Sequence, residues 1–166
     1  MNGLPPVLDA ACGSRAMWFD RNDSRCLFID RRRETHEVRR KGSPRSPITI
    51  DPDQLCDFTA LPFADNSFGL VVLDPPHIIR DEARGNVTKF YGVLNGDWKS
   101  MLRNGFSECF RVLAPGGVLI FKWAETQIPL REILALTPEK PLFGHKSGAL
   151  ARTHWCTFMK SGWGQE

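Results

Sequence analysis

Four aspartates, Asp9, Asp30, Asp57 and Asp74, each stand at or just after the end of a predicted strand. In a parallel sheet such ends converge on one cleft, and acids gathered there repel anions while attracting cations or ligands rich in hydroxyl and amino donors. The last acid continues into Pro75-Pro76-His77. An amine conjugated to a ring is a poor nucleophile because its lone pair is delocalised. Asp74 and the Pro75 carbonyl can both accept its hydrogens, drawing it towards tetrahedral geometry and offsetting the charge that develops on alkylation. Pro76 stiffens that segment, and the His77 imidazole can stack, hydrogen-bond or titrate near neutral pH. The bland alternative for Asp74-Pro75-Pro76 is a rigid turn.

S-adenosylmethionine, with its sulfonium, ammonium, ribose diol and adenine amine, meets the description of a ligand for such a cleft. Asp30 follows Asp9 at about the roughly 20-residue spacing of a ribose-binding acid, so it is expected to accept the ribose hydroxyls. Gly13 is the only glycine of the first turn, so the G-x-G-x-x-G fingerprint of dinucleotide enzymes is absent. Dehydrogenase chemistry loses support accordingly. The four histidines are scattered, and the five cysteines are odd in number and lack a C-x-x-C pair. Neither a metal site nor a disulfide framework is indicated, and buried free thiols are expected.

These residues need a scaffold. Val7-Leu8, Cys26 to Ile29, Ile48 to Ile50, Phe68 to Leu73, Val118 to Trp123 and Trp155 to Met159 read as short strands. Helices are predicted over Ser14 to Arg21, from Trp98 to Leu113 with Asp97 as N-cap, and over Leu130 to Leu136. Pro115-Gly116-Gly117 is expected to end the second. The alternation predicts a Rossmann-like, doubly wound α/β fold: a mostly parallel sheet with helices on both faces, in one domain over 1–166. Residues 78–97 are rich in glycine and weakly periodic, as expected of an active-site lid.

Composition agrees with an ordinary globular chain of 166 residues, 42% apolar and 25% charged. No run is long enough to span a bilayer and no secretory pattern opens the chain, so a cytoplasmic protein is expected. The net charge is only +3, yet residues 31 to 45 carry seven basic side chains against two acids. Such a segment, read as a basic loop, a poorly packed helix or an insertion over 31–47, suits DNA or RNA phosphates, and equally suits solvent.

Leu8-Asp9-Ala10-Ala11-Cys12-Gly13, Phe28-Ile29-Asp30, Asp57-Phe58-x-x-Leu61-Pro62-Phe63, Asp74-Pro75-Pro76-His77 and Arg111-Val112-Leu113-x-Pro115-Gly116-Gly117 occur in one order. In that order the chain resembles class I S-adenosylmethionine-dependent methyltransferases. It is similar above all to the short bacterial and phage-type enzymes with a D-P-P-H loop and a closing G-H-x-S-G … T-x-W-x-x-F-M-K segment, here Gly144 to Lys160. The resemblance implies that Asp9, Ala11, Cys12 and Gly13 face the methionine part of the cofactor. Arg15, where the family has a glycine, would stand beside the methionine carboxylate, Asp30 would bind the ribose, and Asp57 with Phe58 the adenine. It further implies N-methylation of an exocyclic amine in nucleic acid, adenine favoured, on an unpaired or flipped base. A protein or small-molecule acceptor, or a non-catalytic cofactor- or partner-binding module, is the alternative. Arg80, Lys89, Tyr91, His145 and Lys146 are candidate substrate contacts. With no room for a target-recognition domain, sequence specificity would call for a homodimer or a recognition partner.

Overall fold

Apolar runs too short for helices build the centre of the molecule. The computed structural model describes residues 3–39, 42, 44–80, 86–146 and 152–162. The strands are β1 (Val7–Asp9), β2 (Cys26–Asp30), β3 (Glu34–Arg39), β4 (Arg45–Ile50), β5 (Gln54–Leu55), β6 (Phe68–Leu73), β7 (Leu113–Ala124), β8 (Phe143–Lys146) and β9 (Thr153–Met159), and the helices are α1 (Asn86–Tyr91), α2 (Trp98–Val112) and α3 (Leu130–Leu134). Seven strands form one sheet in the order β5-β2-β1-β6-β7-β9-β8, and β3 pairs with β4 in a separate antiparallel hairpin. The pairs from β5 to β7 are parallel, whereas β9 runs antiparallel to both β7 and β8.

Register aligns the strand ends. Asp9 sits opposite Phe28 on one side and Val72 on the other, and Leu73 sits opposite Phe121. The next residues along these two strands, Asp74 and Lys122, are thereby brought side by side. Along β7, Leu119, Phe121 and Trp123 are fully buried while Ile120 and Lys122 turn to the opposite, half-buried face. Helix α2 covers the buried face with Leu102, Phe106, Cys109 and Phe110; the Phe106 and Phe121 rings lie 4.9 Å apart. Each such side chain contributes about 1.5–3 kcal/mol by leaving water. Asp97 caps this helix as predicted, accepting from the Ser100 N–H at 3.1 Å.

The far end of α2 explains two of the sequence motifs. Arg111 is held by both Glu108 oxygens and donates to the Phe63 and Leu61 carbonyls, while Glu108 accepts from the Leu61 N–H. Lys160 Nζ donates to the carbonyls of Arg111 and Leu113, which the helix end leaves without intrahelical partners. The helix stops at Val112, before Pro115-Gly116-Gly117, and those three residues lie within β7.

Two segments differ from expectation. Residues 14 to 21 form successive turns, not a helix. Arg15 sits at φ +54, a left-handed conformation that cannot propagate a right-handed helix, and its guanidinium binds the Arg21 and Asp51 carbonyls and Asp53. From Glu34 on, the basic segment is strand, not loop or helix. It is the β3–β4 hairpin, in which Val38, Ile48 and Ile50 are buried while Thr35, Glu37, Arg39, Arg45 and Thr49 are exposed or only partly covered. Arg40, Lys41 and Ser43 lie outside the described residues, as do 81–85 of the expected lid and Ser147-Gly148 of the closing motif. The rest of the lid contains α1, and Leu94 pairs back to the strand exit at Ile79.

Candidate active site

The chain winds outward from β1 to β2 and β5 in one direction, then through β6 and β7 in the other. Where the winding reverses, the connections leaving β1 and β6 diverge and open a crevice beyond the carboxyl ends of the strands. A cavity of about 190 Å³ lies there.

Its β1–β2 side is built from the first turn. Gly13 adopts φ +50 and donates its N–H to Asp30 Oδ2 at 3.0 Å; a Cβ there would stand 3.3 Å from the Phe90 carbonyl oxygen. Ala11, Cys12 and Gly13 line the cavity with Asp30 and Phe58. Phe58 fits because α2 carries Gly105 beneath it: a Cβ on that glycine would lie 2.5 Å from the ring. Asp30 also holds Arg32 through the backbone N–H at 2.9 Å and the guanidinium at 3.2 Å. That guanidinium reaches on to Glu34 and to the carbonyls of Lys89 and Phe90, tying α1 to the exit of β2.

Asp9 lies beneath this turn, fully buried, accepting from Trp18 Nε1 at 2.7 Å and the Ala11 N–H at 3.3 Å. Burial pushes its carboxyl up to about 7; the two hydrogen bonds oppose that rise and the negative charges of Asp74 and Asp30 add to it. Among the thiols, Cys12, Cys26, Cys109 and Cys156 are buried and Cys56 half-buried, all unpaired, and burial pushes Cys26 up to about 12.

The opposite side belongs to β6, β7 and β9. Asp74 is buried, with Oδ2 2.5 Å from Lys122 Nζ. Its Oδ1 lies 3.0 Å from His77 Nε2, out of line for a hydrogen bond, so Oδ1 has no such partner. Lys122 Nζ stands 5.3 Å from the Tyr91 ring centre and 5.6 Å from that of Trp155, its cross-strand neighbour on β9. His77 is 7% exposed, packs edge-on to Trp123 at 5.0 Å, and leaves Nδ1 unbonded.

The structure thus brings Ala11, Cys12, Gly13, Asp30, Phe58, Asp74, Pro76 and Tyr91 to one cavity. Other expected site residues stand apart. Arg15 is spent on the 51–53 turn, where its guanidinium also stacks 4.0 Å over Phe28. Asp57 binds Thr59, and His77 lies behind the wall with Pro75. Lys89 meets the site through its carbonyl, Arg80 is exposed at the strand exit, and His145 and Lys146 are exposed on the edge strand β8. Lys122 was missed, although it is the one charge in the otherwise apolar run Val118 to Trp123. Among the described residues no group of three or more His, Cys, Asp or Glu could hold a metal ion, and no helix is long and apolar enough to cross a membrane.

No protein-family model matches the sequence, and no curated protein matches it. Solved structures do. A TehB-like SAM-dependent methyltransferase from Corynebacterium glutamicum aligns over 93% of this chain and 79% of its own, with 14% identity and a TM-score of 0.56. A geranyl diphosphate methyltransferase in complex with geranyl diphosphate and sinefungin aligns over 96% and 73%, at 10% identity and a TM-score of 0.52. The Burkholderia thailandensis 1,6-didemethyltoxoflavin-N1-methyltransferase, with bound S-adenosylhomocysteine, aligns over 94% and 71%, at 13% identity and a TM-score of 0.51. The chain shares the Rossmann-like fold of these structures. In this fold the cavity occupies the switch-point crevice, and the alignments extend across both of its halves as one domain.

Proposed function

We propose that the chain is an S-adenosylmethionine-dependent methyltransferase, with the cofactor along the β1–β2 side and the methyl acceptor at Asp74 and Lys122. The observation that carries this reading is the switch-point crevice, with Asp30 and Asp74 in its wall, in the fold of proteins whose structures hold S-adenosylhomocysteine or sinefungin. The residues present fit that cofactor. Asp30 and Asp74 in the cavity wall are carboxylate acceptors for a ligand rich in hydroxyl and amino donors, each beside a cation, Arg32 or Lys122. Asp30 can accept ribose hydroxyls once the Arg32 guanidinium moves aside, and Phe58 offers a flat apolar surface for adenine. Arg15 does not fit a role on the methionine carboxylate, because its guanidinium is committed elsewhere. S-adenosylmethionine supplies a methyl group on a sulfonium, whose departure leaves a neutral thioether.

The Asp74-Pro75-Pro76-His77 sequence by itself favours an exocyclic amine, adenine in nucleic acid, and the arginines of the β3–β4 hairpin support a DNA or RNA partner. An amine acceptor, however, needs an open Asp74 oxygen, and Lys122 holds one while the other lies against His77, out of contact with solvent. The test is transfer of labelled methyl to single-stranded DNA, duplex DNA, RNA and small amines and phenols, beside calorimetric titration with S-adenosylhomocysteine. Label enters one acceptor class and falls by about 100-fold or more in Asp74→Ala, with cofactor affinity nearly intact. Absence of cofactor binding sinks the proposal, and equal loss of binding and transfer in the variant removes Asp74 from the acceptor side.

A further inference from the structure

Lys122 is a nearly buried ammonium at the acceptor end of the cavity, with side-chain exposure of 16%. It stands between Tyr91 and Trp155, and with Asp74 all four line the wall. One oxygen of Asp74 is held by the ammonium and the other faces His77 without a hydrogen bond, out of contact with solvent. The polar group presented to an acceptor is therefore the cation of Lys122, not the carboxylate of Asp74. An ammonium has three donors and no acceptor, and Asp74 engages one of them. An amine that gains positive charge as it is methylated is opposed by such a neighbour, whereas an acid that has lost its proton is stabilised by it.

We propose that the methyl acceptor is an acidic hydroxyl on a flat conjugated ring, bound as its oxyanion by Lys122; this rests on the methyltransferase reading of the same cavity. The Tyr91 and Trp155 rings offer faces for the acceptor ring, and Asp74 holds the Lys122 ammonium in place. The hydroxyl gives its proton to water on binding. Its oxygen lone pair then forms the O–C bond to the methyl carbon, and the electron pair of the breaking C–S bond remains on sulfur. Lys122 acts by lowering the acidity threshold of the hydroxyl, so that the nucleophilic form is present at neutral pH.

The test uses 4-nitrophenol and 4-nitroaniline, two flat dyes of like shape that differ in O–H against NH₂, titrated into the whole chain with and without S-adenosylhomocysteine. The phenolate absorbance of 4-nitrophenol rises on binding at a pH where the free dye is mostly protonated, and 4-nitroaniline binds more weakly. Lys122→Met weakens 4-nitrophenol binding by roughly tenfold to a hundredfold and removes the phenolate gain, whereas Lys122→Arg retains it. No phenolate gain with the unmodified chain overturns the proposal without reference to any variant, as does an equal gain in a Lys122→Met protein that is folded by circular dichroism. If the cofactor product binds and the phenolate signal is absent, the acceptor proposal alone fails. If the signal is present and the cofactor product does not bind, the oxyanion site stands and the methyltransferase reading fails.

Discussion

Asp30 and Asp74 each close a parallel strand and each holds a cation, but the cations come from different distances along the chain. Arg32 is two residues beyond Asp30, on the exit of the same strand, while Lys122 is 48 residues from Asp74 and arrives through the β6–β7 register. Arg32 can leave Asp30 by rotating its own side chain, and its other bonds are to Glu34 and the backbone of α1. Lys122 is placed by β7, with the Tyr91 and Trp155 ring centres 5.3 and 5.6 Å from its Nζ. One end of the cavity is adjustable and suits a ligand that must enter and go. The other is built into the sheet and presents a fixed charge to whatever reacts there. Between them Asp9 meets Trp18 Nε1 and the Ala11 N–H instead of a cation, and burial shifts its carboxyl upward.

The largest expected effect concerns Asp9. A carboxyl raised from 3.8 to about 7 keeps its proton longer in the native state, so the native state binds more protons than the unfolded chain across that window. Stability therefore falls as pH rises from 3.8 to about 7, by a total on the order of 4 kcal/mol, and is level in this respect above it. Urea midpoints across pH show this slope, and Asp9→Asn flattens it; an unchanged slope in that variant means that Asp9 is not its source. Next comes Asp30→Ala, which weakens S-adenosylhomocysteine binding by about 1.5–3 kcal/mol if the carboxylate takes the ribose hydroxyls. A dissociation constant that does not move makes Asp30 only the anchor of Arg32, and the contrast between the two ends collapses. The smallest effect is Gly105→Ala. Its new methyl meets the Phe58 ring and costs about 1–2 kcal/mol of stability in thermal unfolding, with a weaker loss of cofactor affinity as the ring shifts.

Much of the scaffold was legible because its signals are local. Val7-Leu8, Cys26 to Ile29 and Phe68 to Leu73 are short apolar runs that stop at an acid, and β1, β2 and β6 follow them. Helix α2 showed its period and its cap. The turns at 14–21 did not, because Ala16, Met17 and Trp18 look helical, and only the left-handed Arg15 and the Trp18 bond to Asp9 forbid it. The β3–β4 hairpin was hidden by the charges in and before it: the seven basic residues of 31–45 drew attention from the alternation of Val38, Ile48 and Ile50. Arg111 and Leu61-Pro62-Phe63 were recognised as separate motifs, and the clamp joining them spans half a hundred residues of intervening chain at the reach of one guanidinium.

The sequence by itself determined which acids stand at strand ends, which turn carries the glycine, and that a parallel sheet would collect them on one edge, since periodicity and turn chemistry act over a few residues. Only the tertiary structure decided what each acid meets. Asp9 is covered by Trp18, Asp30 is shared with Arg32, and Asp74 is held by Lys122. The physical reason is that a carboxylate's behaviour is set within a few ångströms of its oxygens, where the partners arrive by turn geometry and strand register and not by proximity in the chain.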